Sequence, residues 1–389
     1  MFTRSTSLVS LVALVLASSA FFACSAPAAQ DDGAQESADT ALTSGPGHSA
    51  TDAHVPELGN DVTIVNQSQI SLAAGVAKVT AENGPVIEAK FELGDDGKLS
   101  LSVYPAQKGL AMDSERNVFQ ELSGDPTATP FAGSLATFDD QEHVLRSSRD
   151  LTLVQLSHIG VGDAIAKASN LGNVFWTIPT IKNKRAGYGV YALTSHGKKV
   201  YRFIDGQGSD ESTTDDCLHE IGSGPGDAAT DARGPELGDD LTIVRQSKVT
   251  MAAALAQLEA QNGPAIEAKF ELGDDGKLSL SVYPVGKSID TDAERNTFFE
   301  LSGDPTASAF TPGKEEFKMP DFEHVSRAAR DLTLVQTASL TLRQAVDAVN
   351  DKMPDGFVFW AIPTIRDTRA GFGVYTLGAD NKAHYFFVS

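Results

Sequence analysis

Positive charge is scarce in this chain. Lys and Arg together number 31 against 52 Asp and Glu, a net charge of −21. Such an excess repels phosphate backbones and anionic surfaces, which sets nucleic acid aside as a partner. Cysteine is scarcer still, and two in 389 residues cannot build a disulfide framework. Past the N-terminal stretch, no apolar run approaches the roughly 20 residues of a membrane-spanning helix. What is present is ordinary for a globular protein, with 41% hydrophobic and 21% charged residues. At about 150 residues per domain, the length predicts two or three domains.

The N-terminus reads as an export signal over residues 1–23. Arg4 precedes an apolar segment from Leu8 to Phe22 with small residues after it. Phe21-Phe22-Ala23-Cys24 resembles a bacterial lipoprotein signal, with Phe21 where Leu is usual, and that resemblance implies lipidation of Cys24 and anchoring to a membrane. The alternative is cleavage after Ala26-Pro27-Ala28, which releases a secreted protein. Either way the expected address is extracytoplasmic, in the cell envelope. Cys217 sits among Asp210, Glu211, Asp215 and Asp216, surroundings that disfavour a thiolate.

The sequence then repeats itself. A shift of 179 positions aligns Gly45-Pro46-Gly47 with Gly224-Pro225-Gly226, and Glu88–Pro105 with an identical Glu267–Pro284. With small insertions the match continues to Trp176-Thr177-Ile178-Pro179 and Trp360-Ala361-Ile362-Pro363. The expected organisation is an acidic tether over 24–55, repeat A over 56–205, an acidic linker over 206–234 and repeat B over 235–389. Residues 25–58 carry six acids and no Lys or Arg, and 205–234 carry eight acids against Arg233. The connectors, net −6 and −7, thus hold most of the acidity, and like charges extend them.

Within repeat A, Asp61–Val65 reads as a strand, and Ser71 as the N-cap of a helix with Leu72, Val76 and Val79 on one face. Asn83-Gly84-Pro85 stops that helix. Ile87, Ala89 and Phe91 alternate with Glu88, Lys90 and Glu92, and Gly94-Asp95-Asp96-Gly97 turns the chain into Leu99, Leu101 and Val103. The second half reads the same way, with a strand over Leu151–Gln155, a helix carrying Val161, Ala164, Ile165 and Ala168, and strands over 174–180, 187–193 and 199–203. Short helices are expected over 113–122 and 141–148. In repeat B, Thr341 caps a helix carrying Leu342, Ala345, Val346 and Val349. The predicted class is α+β: two tandem repeats, each of two strand-helix-hairpin units whose antiparallel sheets are covered by helices.

The helix opening on Ser or Thr, its Gly stop and the segment Val86–Val103 resemble the PepSY domain of bacterial envelope proteins and peptidase propeptides. The resemblance covers about 70–104 and 249–283, and more loosely the second unit of each repeat. It implies an extracytoplasmic binding or inhibitory module, carries no catalytic motif, and does not extend to Leu122-Ser123-Gly124-Asp125-Pro126.

Chemistry shared by the copies should be duplicated. Of eight histidines only His143 and His324 correspond, in Glu142-His143 and Glu323-His324. An extracytoplasmic hydrolase using these regions and the Gly-Asp-Pro turns at Asp125 and Asp304 is the alternative reading, but successive helical residues diverge in direction and no Gly-x-Ser-x-Gly elbow is present. The Gly-Asp-Asp-Gly turns lack the alternating ligands of a calcium loop. No catalytic residue, metal or cofactor is expected. The candidate binding surface is Trp176, Trp360, Tyr191 and Tyr375, if an aromatic stripe faces solvent, together with Arg185 and Arg369 in duplicated strand-connecting loops. The expected function is non-catalytic engagement of a cell-envelope protein or peptide, by strand addition to a sheet edge.

Overall fold

The computed structural model describes residues 58, 62–94, 96–106, 118–138, 140–207, 218–220, 237–238, 240–273, 275–286 and 296–389. The expected signal peptide, Cys24, the tether, Cys217 and most of the linker lie outside the described residues.

Local chemistry sets the first elements. The Ser71 hydroxyl accepts from the Ala74 backbone N–H, α1 runs Leu72–Asn83, and Gly84 (φ 117°) and Pro85 end it. The β1 (Val86–Leu93) and β2 (Leu99–Pro105) hairpin closes through Gly97, at φ 72°, whose N–H reaches the Gly94 carbonyl at 2.8 Å. A second hairpin, β3 (Gln120–Gly124) and β4 (Gly133–Thr137), pairs outside β2. Then come α2 (Gln141–Gln155), α3 (Val161–Ala168) and the meander β5 (Asn173–Lys182), β6 (Arg185–Leu193) and β7 (Lys199–Asp205).

The second copy begins early. A short strand in the linker, β8 (Leu218–Glu220), precedes α4 (Met251–Asn262), β9 (Ala265–Leu272), β10 (Leu278–Pro284), β11 (Phe299–Gly303) and β12 (Gly313–Glu316). After these come α5 (Phe322–Thr337), α6 (Leu342–Lys352), β13 (Phe357–Arg366), β14 (Arg369–Leu377) and β15 (Ala383–Val388). The fold is α+β in two similar units, each an antiparallel sheet covered by helices. Strand order is β4-β3-β2-β1-β5-β6-β7 in the first and β12-β11-β10-β9-β13-β14-β15-β8 in the second.

The two halves of each repeat share one continuous sheet, because β1 pairs with β5 (Ala89 opposite Thr177) and β9 with β13 (Ala268 opposite Ala361). One face is apolar: Ala89, Phe91, Leu101 and Val103 pack with Leu72 and Val76 of α1 and Ile165 of α3. On the other face lies α2, which also packs along α5. The repeats therefore meet through a central helix pair with a sheet on either side. The contacts are reciprocal: Val144 and Leu145 of α2 join a repeat B cluster with Tyr283 and Val325, while Phe322 of α5 packs on a repeat A cluster with Phe119 and Leu151.

Three expected elements differ. Residues 62–67 form a 3-10 helix, not a strand. Gln120–Leu122, expected to be helical, lie in β3. Leu151–Gln155 complete α2 instead of forming a strand. Leu151 and Leu153 mimic a two-residue period because α2 is covered on several sides, so residues on different faces of one helix are all buried.

Candidate functional site

Alternation puts Glu88, Lys90 and Glu92 on the face of β1 opposite its apolar residues. Alone, that face would be wet; under α2 it is a buried polar layer. Arg146 Nη2 donates to Glu88 Oε1 at 2.7 Å, and Trp176 Nε1 donates to the same oxygen at 2.8 Å. Lys90 lies 2.7 Å from Glu92, which also accepts from the Ser102 hydroxyl. Arg149 Nη1 donates to Asp150 at 2.5 Å and to the Pro179 carbonyl at 3.2 Å. Three acids face three bases, the balance a low-dielectric site needs.

Repeat B reproduces the layer. Arg327 meets Glu267 at 2.5 Å, Trp360 meets Glu267 at 2.8 Å, and Arg330 meets Asp331 at 2.5 Å. Desolvation is the largest influence on the two buried aspartates and pushes both up to about 7. Arg149 or Arg330 opposes it, and Glu88 or Glu267 adds to it.

An aromatic ladder leads from this layer to the surface. Lys90 Nζ sits 5.8 Å from the Tyr104 ring centroid, Tyr104 lies 6.0 Å from Phe138, and Phe138 stacks on His143 at 4.4 Å. In repeat B, Lys269, Tyr283, Phe317 and His324 form the same series at 5.8, 6.0 and 4.7 Å. The carboxylate at each histidine is Asp140 or Asp321, 2.8 Å from Nδ1, and not Glu142 or Glu323. These aspartates are the N-caps of α2 and α5 and also accept from the histidine backbone N–H. Although desolvation raises the Asp140 pKa, hydrogen bonds and charge from His143 hold it below the ordinary carboxylate value. A partly open cleft lined by Glu267, Tyr283, Phe317, His324, Arg327 and Asp331 leaves a volume of about 10 Å³ to the centre of a water-sized sphere, room for about one water molecule. Among the described residues, no cluster of His, Cys, Asp and Glu could hold a metal ion.

The candidate aromatic surface does not reach solvent. Trp176 and Trp360 are 2% exposed, and Tyr191 and Tyr375 are equally buried, each stacked on its tryptophan at 5.1 Å. The strands that carry them are covered on both faces, so alternation exposes neither side. Arg185 bonds Asp205 at 2.7 Å, while Arg369 is half-buried at the start of β14. Their hairpin loops, with Asn183, Lys184, Asp367 and Thr368 at positive φ, reach across to the other repeat. Lys184 donates to the Ala338 carbonyl at 3.1 Å, and Thr368 Oγ1 lies 2.9 Å from His158 Nε2. The Gly-Asp-Pro segments are turns: Asp125 and Asp304 accept from Thr127 and Thr306, and the Pro126 and Pro305 carbonyls accept from Gln69 and Lys248.

Open geometry lies at the sheet edges. All five residues of β4 are exposed, and Leu135 (43%) and Val118 (41%), just before β3, are the exposed large apolar side chains among the described residues. Ser134, Leu135 and Ala136 are uncharged, whereas the corresponding edge β12 carries Lys314, Glu315 and Glu316. At the far end of the second sheet, β8 shows what such an edge accepts: Leu218, His219 and Glu220 pair with Val388, Phe387 and Phe386. Sequence reading missed both strands. A run of three uncharged residues between turn signals was the available sign of β4.

No family model and no curated protein matches the chain. No helix among the described residues is long and apolar enough to cross a membrane.

Proposed function

We propose that this chain is a non-catalytic binding or inhibitory protein of the cell envelope, held to a membrane by lipid on Cys24. Its duplicated PepSY-like repeats engage a partner protein through an extended segment that adds to β4. The observation that carries this reading is the β4 edge itself: an end strand, fully exposed, uncharged and bearing Leu135. Uncovered edges are usually blunted by charge, as β12 is, because unpaired backbone groups template further strands. An added strand gains main-chain hydrogen bonds, and Leu135 offers one apolar contact for selectivity.

The hydrolase reading has less support. Its histidines are engaged by helix caps, its Gly-Asp-Pro carboxylates make turns, and the cleft beside His324 has room for about one water.

The test is capture from envelope extract by the intact chain and by Leu135→Lys, followed by hydrogen exchange of the complex formed with the purified partner. Loss of capture by the variant, with partner-dependent protection of 133–137, is expected. Equal capture by both chains, or protection elsewhere only, would sink the reading.

A further inference from the structure

The edge hairpins of the two repeats share a register but differ in what they present. In the first sheet Leu122 lies opposite Leu135 and Glu121 opposite Ala136; in the second, Leu301 lies opposite Lys314 and Glu300 opposite Glu315. Leu122 belongs to the apolar core, so Leu135 stands on that face of the sheet. Glu121 and Ala136 stand on the other face, the one that carries the buried ion-pair layer. One step beyond the Val103–Leu122 pair, Tyr104 is the β2 neighbour of Glu121. The Tyr104 hydroxyl registers that charge: burial raises its pKa most, and Glu88 and then Glu121 add to the rise.

The backbone of β4 fixes how another strand would sit. The Phe138 N–H donates inward to the Phe119 carbonyl at 3.1 Å, so alternation points the backbone groups of Gly133, Leu135 and Thr137 outward. An added antiparallel strand therefore bonds to Leu135, and the residue before its Leu135 partner falls opposite Ala136. That lane leads to Glu121. Ala136 is exposed and ends at Cβ, while the half-buried Glu121 carboxylate has no hydrogen-bond or ion-pair partner among the described residues. Its counterpart Glu300 accepts from the Ser281 hydroxyl at 2.5 Å. Two strand spacings, about 10 Å, separate β3 from the added strand. A Lys or Arg side chain and Glu121 close that gap from both ends, with the apolar stem laid over Ala136.

We infer that the partner segment at β4 is basic and then apolar: a Lys or Arg opposite Ala136, paired with Glu121, followed by an apolar residue against Leu135. The inference rests on the proposed strand addition at β4 and supplies the chemistry of the partner. A net charge of −21 draws a basic segment in from a distance. The β12 edge turns the same segment away, because Lys314 stands where β4 has Leu135 and sets a charge against its apolar residue. The two repeats therefore do not share this partner.

Two synthetic peptides, Ser-Thr-Lys-Val-Thr-Ser-Gly and the same chain with Glu in place of Lys, test this against the full chain. Fluorescence anisotropy gives their affinities, and hydrogen exchange locates the contact. The lysine peptide should bind about fivefold more tightly and protect 133–137. Glu121→Gln should erase that preference without disturbing the fold, and Ala136→Lys, which offers Glu121 an ammonium of its own, should reverse it. Equal affinity of the two peptides for the wild type, a preference kept in Glu121→Gln, or protection only outside 133–137 would overturn the inference. Equal protection of 133–137 by both peptides would remove the charge selectivity and leave the β4 edge standing, whereas capture by Leu135→Lys decides the edge itself.

Discussion

Ser148 and Ser326 share a buried hydrogen bond at 2.6 Å between α2 and α5, although the corresponding positions of the other repeat are Ala329 and Leu145. The interface between the copies thus contains a polar contact that duplication alone would not produce. It has been adapted to join two unlike helices. Elsewhere between the repeats, Leu153, Leu156 and Ile181 of repeat A form one apolar cluster with Leu334 and Ile365 of repeat B.

Cutting into this interface should therefore destabilise both repeats together. Leu334→Ala is expected to cost about 2–5 kcal/mol and Ser148→Ala about 1 kcal/mol. Urea unfolding followed by probes in each repeat should give coincident transitions. If only repeat B shifted in Leu334→Ala, the repeats would be independent.

The buried tryptophans act as hydrogen-bond donors beneath α2 and α5. Trp176→Phe keeps most of the ring but leaves Glu88 without its indole donor, so a loss of about 1–3 kcal/mol is expected. Partner capture at β4 should be unchanged in that variant while it remains folded. An unaltered denaturation midpoint would show that the bond to Glu88 contributes nothing.

Asp150 and Asp331 give stability a pH dependence whose sign is fixed. Their folded-state pKa of about 7 exceeds the ordinary 3.8, so the native state holds the proton more tightly. Their contribution is full below about pH 4 and is lost as pH rises through 7. Asp96, Asp125 and Asp304, held below 3.8 by hydrogen bonds to Lys98, Thr127 and Thr306, act oppositely and only in more acid solution. Urea midpoints should fall between pH 4.5 and 7.5, and the slope should flatten in Asp150→Asn with Asp331→Asn. A rising midpoint in the wild type over that window would contradict the assignment.

At β4, Leu135→Lys should remove partner capture with a stability change within about 0.5 kcal/mol, because the side chain is largely exposed. A large drop in melting temperature would mean that Leu135 supports the fold instead.

The mature N-terminus decides the anchor. Mass spectrometry of protein from the native membrane fraction should give an acylated Cys24. A soluble protein beginning after Ala28 would remove the anchor.

Much of the fold was legible in the sequence because its local signals agree. The two-residue alternation of Val86–Val103, the Ser71 and Thr341 caps and the Gly97 turn each have a nearby physical cause, and duplication showed the same pattern twice. What tertiary structure decided was which faces stay wet. Glu88 and Lys90 lie on the polar face of β1, yet α2 covers that face, and Glu88 pairs there with Arg146 while Lys90 pairs with Glu92. Trp176 is buried for the same reason, since periodicity reports two faces without saying that both are covered. The carboxylate beside His143 is Asp140, three residues earlier, because a helix N-cap turns back on its first turn. Strand order, the central helix pair and the difference between the edges β4, β7 and β8 arise from contacts distant in sequence. The sequence by itself determined the locally signalled elements, their duplication and the acidity of the connectors. Only packing determined which of those elements remain open to another strand.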